Sequence, residues 1–158
     1  MFVIGYKPFD RESFKIYNGF VINIVKNNLH ILNHSLVENP DPHGIDIQIK
    51  NTLDEVCGFI EVESHGKHWD GVFPFESVNF LGRKLKYVRP KSYYIMIDFT
   101  GKSSVMIPFE RLAKFTVKRM DTSVFKNDAI INVPNENCIW GWENIKKYIE
   151  FDLCINKP

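Results

Sequence analysis

Three features are scarce in this chain, and each scarcity excludes a class of protein. Only three of its 158 residues are cysteine, and their wide spacing fits neither a disulfide framework nor a zinc site. No apolar run approaches the ~18 residues that a membrane span needs, and the apolar run at the N-terminus is too short for a signal peptide. We therefore expect a reduced, cytoplasmic protein without a membrane partner.

An excess of charge of one sign is also lacking. Lysine and arginine number 20 and aspartate and glutamate 19, so the formal net charge is only +1. The chain therefore lacks the overall basic excess that would by itself indicate nucleic-acid binding, and any basic surface must be local. One such cluster lies within nine residues and consists of Arg83, Lys84, Lys86, Arg89 and Lys91.

The length and composition are those of one globular domain. A chain of 158 residues can bury a substantial core, and 44% hydrophobic with 25% charged residues is ordinary for a folded protein. The sequence contains no internal repeat, low-complexity tract or linker. We therefore expect a single domain over residues 1–158.

Hydrophobic periodicity predicts a mixture of helices and strands. Helical spacing occurs over residues 11–27 and 142–150, and a proline opens a short helix over 108–115. Strands are expected at residues 29–32, 44–50, 58–64, 78–81, 85–88, 93–99, 103–107 and 129–133. The predicted fold class is α/β (α+β), with a central mixed β-sheet flanked by helices.

The stretch over residues 43–64 has the pattern of a β-hairpin. Side chains alternate across a strand, so Asp46 would share one face with Glu61 and Glu63 if the register places it opposite either of them. Gly58 could host the bulge that adjusts the register. Carboxylates gathered on one partly buried face repel one another. Either the pKa of one of them would rise or the group would bind a cation. The opposite face of the first strand would carry Ile45, Ile47 and Ile49.

These residues resemble the PD-(D/E)XK, or restriction-endonuclease-like, nucleases. That family has an Asp at the start of one strand and then, on the next strand, an acid, any residue and usually lysine. Asp46 matches the first position, and Glu61, Val62 and Glu63 match the second half, with Glu63 in place of lysine as in a minority of restriction enzymes. An order associated with phage-type members continues through Trp69, Phe73, Pro74, Phe75, Arg83 and Lys84.

The resemblance implies a restriction-endonuclease-like core and metal-dependent hydrolysis of DNA. Magnesium, or manganese in its place, would bind Asp46, Glu61 and the carbonyl of Val62, since such ions prefer oxygen ligands. The ion would activate water and stabilise charge on the phosphorus. Glu63 would hold a second ion or orient the attacking water.

Glu63 occupies the position where the motif usually has lysine, so another lysine would have to take that role. Lys67 and Lys84 are candidates, and Lys84 is favoured because the neighbouring Arg83 could grip an adjacent phosphate. The residues expected to contact nucleic acid are Lys67, Arg83, Lys84 and Lys86.

Two other functions remain open. A non-catalytic nucleic-acid-binding or protein-interaction domain could retain the nuclease fold, and Glu63 in place of lysine is the strongest argument for it. A small structural or assembly protein would leave the carboxylates solvated on an amphipathic hairpin. If the chain is a nuclease that cuts both strands of a duplex, a homodimer is a natural arrangement.

Overall fold

The structure is a computed structural model and describes residues 11–65, 69, 72–122 and 126–154. Within these residues the helices are α1 (Arg11–Asn28), α2 (Phe109–Leu112) and α3 (Trp142–Cys154), with 3₁₀ helices at Gly82–Tyr87 and Asn135–Asn137. The strands are β1 (Ser35–Glu38), β2 (Ile47–Lys50), β3 (Val56–Ser64), β4 (Ser77–Leu81), β5 (Ser92–Ile97), β6 (Ser104–Pro108), β7 (Val117–Met120), β8 (Asp128–Pro134) and β9 (Ile139–Trp140). No helix in the described part is long and apolar enough to cross a bilayer.

The strands form two sheets. A six-stranded sheet has the order β1-β2-β3-β5-β6-β9, and a three-stranded sheet has the order β4-β8-β7. In the larger sheet β3 and β5 are parallel and the other neighbours are antiparallel. The prediction of an α+β chain with a mixed sheet is therefore confirmed.

Both faces of the six-stranded sheet are buried. Side chains alternate along β5, so Tyr93 packs in one hydrophobic core and Tyr94 in the other, and both are fully buried. The first core also contains residues of α1 and α3, including Val25 and Ile149. The second contains residues of the three-stranded sheet and of α2, including Phe80. The sheet is thus the middle layer of the fold.

The predicted hairpin is present as β2 and β3. Ile47 pairs with Ile60 and Ile49 with Gly58, after which Cys57 is the extra residue of a bulge. The bulge therefore lies beside Gly58, close to where the sequence predicted it. A Cβ atom on Gly58 would lie 3.0 Å from the carbonyl oxygen of Lys91, which explains the glycine.

Several predicted elements are confirmed in type and position. The helices over residues 11–27 and 142–150 correspond to α1 and α3, and the strand over 129–133 corresponds to β8. The hairpin over 93–99 and 103–107 corresponds to the antiparallel pair β5 and β6. The helix expected over 108–115 is limited to the single turn of α2.

Other predictions are wrong. The first strand is β1 rather than 29–32, because Leu29 and Ile31 follow α1 directly and are buried in the core with that helix. Residues 85–88 belong largely to the 3₁₀ helix Gly82–Tyr87 rather than to a basic strand. Ile45 packs in the second core, whereas Ile47 and Ile49 pack in the first, since β2 begins only at Ile47.

Candidate active site

The pairing of β2 with β3 brings Asp46 and Glu61 together. Ile47 pairs with Ile60, so the preceding residue, Asp46, lies beside Glu61. The backbone N–H of Asp46 donates to Glu61 Oε2 at 3.3 Å, and the N–H of Val62 donates to Asp46 Oδ2 at 2.9 Å. The register that the sequence left open therefore joins the two carboxylates proposed as metal ligands.

Lys84 supplies a cation to this pair. Its Nζ lies 2.6 Å from Glu61 Oε1, and the Lys84 side chain is 25% exposed against 3% for Glu61. Lys84 belongs to the 3₁₀ helix Gly82–Tyr87, between β4 and β5. The structure thus places Lys84, one of the two lysines proposed to replace the motif lysine, directly at the carboxylates.

Helix α1 contributes a residue that sequence reasoning missed. Asn18 Nδ2 donates to Asp46 Oδ1 at 3.3 Å, so both carboxylate oxygens of Asp46 accept hydrogen bonds. Tyr17 lies beside Asn18 on the wall of the same cavity. The sequence held no signal for this contact, since an asparagine inside an amphipathic helix resembles any solvated residue.

Glu63 has a hydrogen-bond partner of its own, which it does not share with Asp46 or Glu61. Its carboxylate accepts a hydrogen bond from the hydroxyl of Tyr94, which is fully buried. Glu63 lines the same cavity as Asp46 and Glu61, but no three His, Cys, Asp or Glu side chains form a metal-holding group within the described residues. The site is therefore a carboxylate pair with a third acid nearby. Tyr94 was not identified from the sequence.

The pair carries more negative charge than its surroundings neutralise. Burial, and then the charge of Asp46, raise the pKa of Glu61 to about 7, and burial also raises the pKa values of Asp46 and Glu63. Burial alone would lower the pKa of Lys84, but the nearby carboxylates, Glu61 first, raise it above its ordinary value. One lysine among three acids leaves two negative charges when all are ionised. A proton or a cation is needed to balance them.

The basic residues expected at the site divide into three groups. Arg83 lines the cavity, and its Nη1 donates to Asp128 Oδ2 at 2.9 Å. Lys86 does not line the cavity, and its Nζ lies 5.1 Å from the centroid of the Tyr87 ring. Lys67 lies outside the described residues. A contact of Lys86 with nucleic acid stays a prediction.

The aromatic residues after β3 are packing residues. Trp69 and Phe73 are buried, with ring centroids 5.2 Å apart in an edge-to-face arrangement. Ser103 Oγ donates to the carbonyl of Trp69 at 2.8 Å, and the ring of His65 lies against both aromatic rings. Because they are buried, Trp69 and Phe73 anchor this segment to the core and are not exposed platforms on which bases could stack.

The site has the volume and the donor chemistry for a small hard cation. The cavity measures about 180 Å³ and is bounded by β3, α1 and the 3₁₀ helix Gly82–Tyr87. Magnesium is bound by one or two carboxylates together with water and phosphate oxygens, so Asp46 and Glu61 fit it. The residual negative charge would be balanced by a divalent ion.

Known proteins add nothing to this assignment. Comparisons of the chain with protein-family models, with curated proteins and with solved structures find no significant match. The function must therefore be argued from the geometry of the site and from the resemblance of its motif.

Proposed function

We propose that this chain is a metal-dependent nuclease that hydrolyses phosphodiester bonds in DNA. The observation that carries the proposal is the contact of Lys84 with Glu61, at 2.6 Å, beside the pair formed by the half-buried Asp46 and the buried Glu61. Two carboxylates and one ammonium group in a polar cavity are the groups that the resemblance requires. The ammonium group belongs to Lys84, which lies outside the motif. It would take the role of the motif lysine, whose position is occupied here by Glu63.

Each side chain has a role that follows from its position. Asp46 and Glu61 would hold magnesium, which when bound supplies a Lewis acid and an activated water. Lys84 would stabilise negative charge on the phosphate, and Arg83 on the same wall would grip an adjacent phosphate. Glu63 would accept the proton released as water attacks phosphorus and the bond to the 3′ oxygen breaks. Its carboxylate suits this role because burial raises its pKa above the ordinary value, which makes it a stronger base.

The fold is compatible with the proposed family. Asp46 directly precedes β2 and Glu61 lies on the adjacent strand β3 of a mixed sheet, and α1 packs on one face of that sheet with Asn18 reaching Asp46. We therefore include a restriction-endonuclease-like core in the proposal. Cutting both strands of a duplex would need two such sites, which a symmetric homodimer provides.

One observation favours a second candidate, a nucleic-acid-binding or protein-interaction domain without catalysis. Both carboxylates already have internal partners, since Asp46 accepts from Val62 and Glu61 accepts from Lys84. A network satisfied in this way could be purely structural. In that case DNA affinity would not depend on a divalent ion.

The experiment is ion-dependent cleavage. Purified wild type is incubated with single-stranded, duplex and branched DNA in magnesium, in manganese and in EDTA. We expect cleavage only with an ion, complete loss of it in Asp46→Asn, and wild-type rates in the control Asp54→Asn, whose side chain is 84% exposed in the turn between β2 and β3. Absence of ion-dependent cleavage of every substrate by wild type rejects the enzyme in favour of the binding domain.

A further inference from the structure

A second cavity lies at the end of the six-stranded sheet where β5 begins and β6 ends. Its volume is about 240 Å³, and it will be called the basic cavity. Four cations and two carboxylates in its wall give a local charge of 4 − 2 = +2, in a chain whose formal net charge is only +1. These charged residues are Arg89, Lys91, Arg111, Lys114, Glu110 and Asp152.

One of the carboxylates is neutralised inside the protein. Lys91 Nζ lies 3.2 Å from Asp152 Oδ1, and the hydroxyl of Tyr93 donates to the other oxygen of the same carboxylate. Lys91 and Asp152 therefore cancel one another. The excess positive charge rests on cations that form no salt bridge with any residue in the described ranges, namely Arg89, Arg111 and Lys114.

The two arginines are held in place by aromatic rings. The guanidinium carbon of Arg89 lies 4.5 Å from the centroid of the Phe59 ring, and that of Arg111 lies 5.6 Å from the centroid of Tyr148. A guanidinium held over a ring keeps N–H donors in its own plane, in the fork geometry that matches phosphate. One donor of Arg111 is used by the carbonyl of Asn137 at 3.1 Å and another by the hydroxyl of Tyr148, which leaves N–H groups of the five-donor guanidinium for a ligand.

Arg89 connects the basic cavity to the candidate active site. Phe59 precedes Glu61 by two residues on β3, so the two side chains project from the same face about 7 Å apart. Arg89 and Lys84 therefore contact neighbouring side chains on one face of β3. A DNA strand rises about 3.4 Å per nucleotide in a duplex, so about two nucleotides span the ~7 Å between these two strand positions.

We propose that the basic cavity binds a backbone phosphate of the DNA strand whose scissile phosphate lies at Asp46 and Glu61. The inference rests on the proposed function, because its ligand is the nuclease substrate. The strand would pass from Lys84 over Arg89 and place a phosphate, a few nucleotides from the scissile bond, between Arg111 and Lys114. These contacts position the strand and take no part in the chemistry.

The test compares Arg111→Gln/Lys114→Gln with a control of equal charge loss, Lys102→Gln/Lys118→Gln, whose residues are exposed and line neither cavity. Binding of labelled 20-nucleotide DNA is followed by fluorescence anisotropy at several salt concentrations without divalent ions. We expect the cavity variant to bind at least about tenfold more weakly, with a salt slope shallower by about 0.7–0.9, since one phosphate contact contributes about that much. The control should change affinity less than about threefold, because charges far from the strand are screened.

A second readout starts with wild type, so its first part needs no variant. Single phosphates of the DNA are replaced in turn by neutral methylphosphonates, and binding to wild type should weaken at a discrete position away from the scissile phosphate. That position should lose its effect in the cavity variant, while single-turnover cleavage at saturating DNA stays within about twofold of wild type.

The outcomes separate this inference from the proposed function. Equal affinities and slopes for the cavity and control variants, or a wild type that binds no DNA, overturn the inference. A wild type that shows the cavity-dependent binding and still cleaves nothing in magnesium or manganese supports the inference and rejects the nuclease.

Discussion

Lys84 Nζ and Glu61 Oε1 lie 2.6 Å apart although the two residues are separated by 23 positions in the chain. Lys84 is on the 3₁₀ helix that follows β4, and Glu61 is on β3. Glu63, where the resembled motif usually has lysine, instead accepts a hydrogen bond from Tyr94. The cation that serves the carboxylate pair therefore comes from a separate element.

Replacing Lys84 should slow DNA cleavage more than it weakens DNA binding. We expect Lys84→Met to slow single-turnover cleavage about 10²–10³-fold, the effect of removing one group that stabilises transition-state charge. Lys86→Met is the matched control, since Lys86 lies on the same 3₁₀ helix but does not line the cavity, and at saturating DNA it should cleave at nearly the wild-type rate. A folded Lys84→Met protein with wild-type cleavage would show that Lys84 is not the replacement cation.

The stability of the metal-free protein should fall as pH rises. The pKa of Glu61 is raised to about 7 from an ordinary 4.5, so the native state retains a proton that the unfolded chain has released. The free energy of unfolding therefore decreases as pH rises from about 4.5 through about 7, and the raised pKa values of Asp46 and Glu63 act in the same direction.

Thermal melts in EDTA between about pH 5 and pH 8 measure this dependence. Glu61→Gln should reduce the dependence of Tm on pH. The control Glu143→Gln, which alters a carboxylate side chain 75% exposed on α3, should leave that dependence unchanged. Magnesium added at pH 8 should raise the Tm of wild type and not that of Glu61→Gln, since a bound ion favours the ionised carboxylate. An unchanged pH slope in Glu61→Gln would place the titrating group elsewhere.

Substitutions of Tyr94 and Glu63, which share a hydrogen bond, distinguish a structural role of Glu63 from a catalytic one. Tyr94→Phe leaves a buried carboxylate without its donor and should cost about 1–3 kcal/mol of stability, more at high pH than at low pH. Glu63→Gln should lose most of the cleavage activity while remaining folded, since an amide accepts no proton. Urea unfolding of both single variants and the double variant gives the coupling energy. Additive stability effects would mean that the contact is not formed in solution.

The bulge beside Gly58 sets the register that joins Asp46 to Glu61. Gly58→Ala should destabilise the protein by about 1–3 kcal/mol, because the added Cβ would press on the carbonyl of Lys91 and on Ile49. Gly19→Ala is the control, since nothing lies within 4 Å of the added Cβ in α1, and it should stabilise by up to about 1 kcal/mol. Denaturant unfolding measures both. A neutral Gly58→Ala would mean that the bulge tolerates a side chain.

Local patterns were sufficient to predict much of the fold. Alternation over the hairpin and helical spacing in α1 and α3 each reflect burial of one side of an element, so those elements were found. The strands β7 and β9 were missed because one is fully exposed and the other has only two residues. Residues 85–88 alternate like a strand but form 3₁₀ turns, with Leu85 and Tyr87 contributing to the second core.

The carboxylates of the site and Lys84 could be predicted, but two other hydrogen-bond partners of the carboxylates could not. Asp46 and Glu61 are encoded by one hairpin, whose register follows from a local bulge. Lys84, Asn18 and Tyr94 reach the site from distant elements, and only tertiary packing brings them there. Lys84 was proposed because of its neighbour Arg83, whereas nothing local marked Asn18 or Tyr94.

A crystal soaked in manganese, as a substitute for magnesium, shows whether Asp46 and Glu61 together bind a divalent ion. We expect an anomalous peak between the two carboxylates, at about the 2.0–2.1 Å from their oxygens that octahedral magnesium requires. The same soak of Asp46→Asn crystals should show no peak there. A wild-type map without anomalous density at this position, with Lys84 still paired to Glu61, would mean that the two carboxylates do not form a metal site.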